Sequence, residues 1–233
     1  MTTILQDAEF GEMVIKKIPR NRGIRMHIGT DGRYVVTAPR YVPIAAIRLT
    51  INNSRDALRR LGEQIPRPAC YREGAQIGKN HRLAVVATQM VEQPIIKTER
   101  QRLLVLLPPG RSIENPTTQQ AIRDHVRRIL RKEAKALLPQ RLAQIAQQHG
   151  FLYNRVRFSH SGGRWGSCSS TGTISLNIAL MKLPDALIDY VLAHELSHTR
   201  HMNHSTDFWR EVAAIDPHYA LHRQLLKRES PVV

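Results

Sequence analysis

The sequence predicts an α+β fold, and three observations carry that reading. Short alternating or β-branched runs recur between residues 13 and 107. A long stretch of helical period follows, from about Thr117 to Gly150. The last third returns to a strand block and then to several short helices. With 233 residues, 42% of them hydrophobic, the chain can bury a proper core, which excludes a disordered polypeptide. The expected organisation is a basic, strand-rich N-terminal part over residues 1–112, then a helical connection and a compact core over residues 113–233.

The elements follow in order. Residues 13–18 and 24–28 read as strands, Asp31-Gly32 as a hairpin turn, and residues 34–37 as the returning strand. Pro43 opens a helical pattern with Ile47, Ile51, Leu58 and Leu61 on one face, closed by Gly62. Strands are expected at 82–88, 95–98 and 103–107, and Pro108-Pro109-Gly110 breaks the last. No internal repeat is visible. In the long helix Ile122, Val126, Ile129, Ala134, Leu137, Leu142 and Ile145 keep one apolar stripe. Arg123, Arg127, Arg128, Arg131, Lys132 and Lys135 lie opposite. Pro139 should kink or split this helix, because it lacks an N–H and clashes one turn back. Gly150 suits its C-terminal end.

Residues 156–159 read as a strand, followed by a turn at Ser161-Gly162-Gly163. Residues 164–168 and 173–178 flank the turn Ser169-Ser170-Thr171-Gly172 as a hairpin. Pro184 starts a helix carrying Leu187, Ile188, Val191 and Leu192. Ser205 is a candidate N-cap for a helix with Phe208, Trp209 and Val212. Asp216-Pro217 should cap and start the last one, which ends near Lys227.

Charge is the unusual quantity: Lys and Arg number 35, Asp and Glu 19, for a net charge of +16. The excess is +10 over residues 1–112, +4 over 113–150 and +2 over 151–233. Such a field favours nucleic acid or another anionic partner for the basic N-terminal part, although a merely solvated helix face is the commoner outcome. No apolar run reaches the ~18 residues of a membrane span, so no membrane role is expected. Residues 1–12 carry acids and no apolar core of a signal peptide. Two cysteines, Cys70 and Cys168, cannot build a disulfide framework, and a reducing cytoplasmic setting is the expectation.

The chemistry concentrates at His194-Glu195-Leu196-Ser197-His198. On a helix the two histidines are four apart, on one face and about 6 Å apart along the axis. Two imidazoles so placed can converge on one Zn2+, and Glu195 can reach the activated water as general base. Asp185 and Asp189, up the same helix, read as surface residues. A catalytic zinc takes three protein ligands and keeps an open position. His201 and His204 are the local candidates for the third. His201 would extend the same helix face, with the outer ligands about 10.5 Å apart along the axis. His204 can return from the start of the next helix, so convergence favours His204. Among His201, His218 and Tyr219, the sequence does not rank a donor for the developing oxyanion.

The segments Arg164-Trp165-Gly166-Ser167-Cys168-Ser169, Ile174-Ser175-Leu176-Asn177, His194 to His198, and Asn203-His204-Ser205 with Phe208-Trp209 resemble the YgjP-like metallopeptidase family, which is related to the SprT-type zinc peptidases. The similarity is sharp over residues 151–213. It runs more loosely through the early strands, Ile77-Gly78-Lys79 and the long helix, which makes both parts one continuous domain. The resemblance implies a zincin-like metallopeptidase core with an HExxH active-site helix and His204 as third ligand. It implies zinc-dependent hydrolysis of peptide bonds in a peptide or protein substrate, through a metal-activated water and the Glu195 base. Arg164, Trp165 and Gly166 are candidate substrate-binding residues: an edge strand there would pair with an extended peptide, and Gly166 would permit close backbone approach. The bland reading makes Trp165 and Cys168 core residues. Two other classes remain for comparison: a zinc hydrolase of an anionic substrate such as a nucleotide phosphoanhydride, and a protease associated with nucleic acid.

Overall fold

The computed structural model describes residues 2–19, 21–29, 34–63, 70–160 and 162–233. These fall into two compact units, Met1–Pro68 and Ala69–Val233. The strand-rich stretch expected as one part over 1–112 is thus divided between them, because its later strands pair with one another and pack on the long helix.

In the first unit β1 (Thr2–Asp7), β2 (Gly11–Ile18), β3 (Arg25–Ile28) and β4 (Tyr34–Pro39) form a sheet of order β1-β2-β4-β3. β2 and β4 are parallel, with Ile15 opposite Val36, and the outer pairs are antiparallel. Alternation sends Met13, Ile15, Val36 and Ala38 to one face, where they meet Ile47 and Ile51 of α1 (Ile44–Asn53) and Leu58. β1 is a strand that the sequence reading did not pick out. Its turn is held by Asp7, whose carboxylate accepts the N–H of Glu9 and Phe10 and pairs with Arg55 at 2.9 Å. The helix read as continuous from Pro43 to Gly62 is two helices. Ser54 leaves helical geometry (φ −114°, ψ 19°), and α2 (Arg55–Glu63) starts after it. The expected turn at Asp31-Gly32 lies outside the described residues.

In the second unit β5 (Gln76–Ile77), β6 (His81–Ala87), β7 (Ile95–Glu99) and β8 (Arg102–Leu107) form a sheet of order β5-β6-β8-β7. Its pairings are antiparallel, parallel and antiparallel, the same order and sense as in the first unit, again followed by a helix. A four-strand module with a helix therefore occurs twice. The sequence showed no repeat because the two copies share alternation of burial rather than residue identities.

α3 (Pro116–His149) runs as one helix of 34 residues. Asn115 caps it by accepting the Thr117 N–H at 3.0 Å, and Gly150 ends it in the left-handed region at φ +68°. Pro139 does not split it. The carbonyl that Pro139 leaves unpaired belongs to Lys135, which is exposed, so water can satisfy it. Ile122, Val126, Leu130, Leu138 and Leu142 are buried in the core.

A third sheet has the order β10-β11-β9, from β9 (Arg155–Ser159), β10 (Gly166–Cys168) and β11 (Thr173–Asn177). β10 and β11 form the expected hairpin, whereas β9 runs parallel to β11. A 3-10 turn (Ile178–Lys182) leads to α4 (Asp185–Ser197), α5 (Thr206–Ile215) and α6 (Tyr219–Leu226). The last helix begins at Tyr219, not at Pro217. Asp216 serves instead as a local acceptor, from the His218 N–H at 3.0 Å and towards His222 Nδ1 at 2.7 Å. Among the described residues no helix is long and apolar enough to cross a membrane.

Candidate active site

α4 is buried on nearly every side: Leu187, Ile188, Tyr190, Val191, Leu192, Ala193 and Leu196 all sit in the core. A helix apolar all round belongs in a protein interior, so any polar group it carries there needs a partner. Asp185 and Asp189, expected as plain surface residues, brace its outer side. Lys79 Nζ contacts Asp185 at 2.5 Å and donates to the Leu183 carbonyl at 2.7 Å. Arg141 of α3 pairs with Asp189 through two hydrogen bonds, one of 2.7 Å.

His194 lies in the last turn of α4 and His198 caps it. The chain then folds back: the His201 N–H bonds to the Ser197 carbonyl at 2.9 Å, and Ser205 caps α5 by accepting the Phe208 N–H at 3.3 Å. This reversal brings His204 onto the pair from off the helix. One ring nitrogen from each of His194, His198 and His204 lies within 4.8 Å of the other two, an arrangement that could hold a metal ion. Phe208, fully buried, packs its ring 4.6–5.0 Å from all three imidazoles, and Trp209 stacks on His204 at 5.6 Å.

The donor set fits a tetrahedral N-ligated ion. His194 Nε2 and His204 Nε2 are 3.2 Å apart. Two tetrahedral ligands at ~2.0–2.1 Å from zinc stand about 3.3 Å apart. His198 Nδ1 lies 3.0 Å from the His201 carbonyl, which makes Nδ1 the protonated nitrogen and frees Nε2. Burial, with His198, His204 and Arg223 nearby, pushes His194 down to about 3, so its imidazole is neutral, the form that ligates metals.

Glu195 is 5% exposed, and burial pushes its carboxyl up to about 8 against the pull of Arg164. Its Oε2 is buried and makes no hydrogen bond. Gly166 of β10 packs directly on it: a Cβ there would stand 2.5 Å from Oε1. Arg164, Trp165 and Gly166 line a groove together with Tyr190, Val191, His194 and Glu195. The structure thus places all seven candidate residues around one site.

Other candidates stand apart from the cluster. His201 turns to Glu211, 3.3 Å away. Tyr219 stacks on Trp209, and His218 precedes α6 with its ring 6.3 Å from His222. Cys168 is half-buried, and burial raises its thiol pKa with Glu195 adding to the effect. Three residues of the surroundings escaped the sequence reading. Tyr190, in the groove wall, is four before His194, a spacing that could have revealed it. Arg223 and Glu211 come from elsewhere in the chain and carry no local signal.

Three convergent imidazoles beside a buried carboxylate, in an α+β unit, are what a metal-dependent hydrolase presents. The family model of the YgjP-like metallopeptidase domain matches residues 22–229, and the chain belongs to that family. Among solved structures, the metallopeptidase zymogen of Pyrococcus abyssi abylysin is similar at 26% identity, over 39% of this chain and 91% of that one, with a TM-score of 0.36. No curated protein matches.

Proposed function

We propose that this metallopeptidase is a zinc enzyme in which His194, His198 and His204 hold the ion and Glu195 is the general base. The convergence of the three ring nitrogens beside Glu195 carries the reading. Bound zinc supplies Lewis-acid polarisation of the scissile carbonyl and acidifies water. Glu195 takes the proton from the attacking water and delivers it to the leaving amine. Its burial supports this role, because desolvation disfavours the charged carboxylate and so strengthens its pull on a proton. Phe208 and the His198–His201 contact keep the imidazoles oriented.

Among the described residues β10 pairs only with β11, which leaves its other edge for an extended peptide. The missing side chain of Gly166 makes room for the Glu195 carboxyl beside that edge, while Trp165 and Tyr190 form the groove wall. Both cysteines are free, in keeping with a reducing cytoplasmic setting. The test is Glu195→Gln, measured for zinc content and for cleavage of a peptide panel that includes an unfolded protein. The variant should keep its zinc and lose hydrolysis by about 10²–10⁴-fold, and nucleoside triphosphates should turn over slowly or not at all. A zinc-loaded Glu195→Gln protein with full activity overturns the mechanism.

A further inference from the structure

Two arginines near Glu195 and the histidine cluster, Arg164 and Arg223, have no hydrogen-bond or ion-pair partner for their side chains among the described residues. Arg164 lines the groove, exposed, two residues before the start of β10. Its backbone is fixed: Asn177 Nδ2 donates to the Arg164 carbonyl at 2.9 Å, and the Asn177 N–H bonds to the Trp165 carbonyl at 2.8 Å. Arg223 of α6 is also exposed, and its guanidinium stands over the Trp209 ring, 4.6 Å from the centroid. Trp209 is the ring that stacks on His204. The charge of Arg223 is felt at both His194 and Tyr190, and that of Arg164 at Glu195.

The neighbouring arginines are committed elsewhere. Arg200 pairs with Glu211 and donates to the Gly150 carbonyl at 2.6 Å, and Arg210 pairs with Asp207 at 2.7 Å. The nearby acids are likewise matched: Asp207 with Arg210, Glu211 with Arg200, and Asp216 with His222 at 2.7 Å. Among the described residues the side chains of Arg164 and Arg223 form no hydrogen bond or ion pair, and Glu195 is the one carboxylate lining the groove. The planar guanidinium fork matches a carboxylate in two-point fashion, and Trp209 holds one fork in place by stacking.

We propose that Arg164 and Arg223 make this site selective for peptides that carry a carboxylate next to the scissile bond. The inference rests on the peptidase reading above and deepens it by naming the substrate class. The carboxylate is an Asp or Glu side chain or the end of the chain, and both offer the same two oxygens.

The experiment uses matched peptides with Glu, Gln or Lys at each position around the cleaved bond, each with a free and an amidated C-terminus. Binding is measured by fluorescence anisotropy on zinc-loaded Glu195→Gln protein, and kcat/KM on the wild type. The binding arm keeps a failure of hydrolysis distinct from a failure of recognition. Glu peptides should bind and react about 10- to 100-fold better than their Gln counterparts. Arg164→Gln or Arg223→Gln should abolish most of that preference, raising KM for Glu peptides far more than for their Gln counterparts. Arg223→Glu should shift it toward Lys. Arg210→Gln, a committed arginine, should leave the preference intact. A loss that tracks amidation of the C-terminus assigns the carboxylate to the chain end, and one that tracks the side chain assigns it there. Equal handling of Glu and Gln peptides overturns the proposal. So does an arginine variant that lowers kcat equally on every peptide, or tight binding confined to nucleotides.

Discussion

Gly166 shows how little room Glu195, the proposed base, has. A methyl group there would stand 2.5 Å from Glu195 Oε1 and 2.7 Å from both Cγ and Cδ, and the carboxyl it would push is buried. Gly166→Ala should therefore keep metal and fold but lower kcat by about 10- to 100-fold, the usual result of displacing a reacting group by about 1 Å. Steady-state kinetics with parallel zinc analysis checks this, and an unchanged kcat would show that Glu195 can move aside freely. The third histidine is a second case at this scale. His201 is turned toward Glu211, while His204 faces His194 at 3.2 Å. His204→Ala should weaken zinc binding far more than His201→Ala in an equilibrium titration. The reverse order would reassign the ligand.

At the scale of elements, the site is made by the way two helix ends meet. α4 is capped at His198, and α5 starts two residues after His204, with Ser205 between them as its cap. The cap that starts α5 therefore also fixes His204, the proposed ligand next to it. Ser205→Ala removes the acceptor for the Phe208 N–H and should cost about 1 kcal/mol of stability. Because His204 is adjacent, zinc affinity should fall as well, while Ser205→Asp should keep both. Chemical denaturation and zinc titration of the two variants decide it. Stability loss without any change in zinc affinity would mean that Phe208 and Trp209 alone hold His204. α3 contributes from behind, since Arg141 anchors Asp189, and Glu133 accepts the N–H of Lys79 at 2.8 Å, the same residue whose ammonium braces Asp185.

For the whole molecule, the two units differ in what they report. Both tryptophans, Trp165 and Trp209, lie in Ala69–Val233, one in the groove and one stacked on His204. Removing zinc with a chelator should change tryptophan emission and lower the unfolding midpoint seen by fluorescence. At free zinc 1,000 times its Kd, the bound ion stabilises the folded unit by about 4 kcal/mol. The first unit contains no tryptophan and binds no part of this cluster, so a circular-dichroism scan should show a component that the chelator leaves in place. A midpoint indifferent to chelator at every zinc concentration would contradict metal binding at the histidine set.

The sequence by itself determined the α+β class, most strands of both modules and the helix carrying His194, Glu195 and His198. These depend on local periodicity, on turn residues and on a spacing of four along one helix. It also marked His204, because Asn203 and Ser205 signal the end of one helix and the cap of the next. Only the tertiary structure decided what depends on strand order and on distant chain segments coming together. The two sheets share one topology without shared residues, since burial alternation tolerates many side chains. β9 joins β11 in parallel, which no turn announces. Asp185 and Asp189 became braces because α3 and the turn before β6 deliver Arg141 and Lys79 to them. Arg223 reached the histidine cluster because α6 folds over Trp209, a contact between helices that neither helix encodes alone.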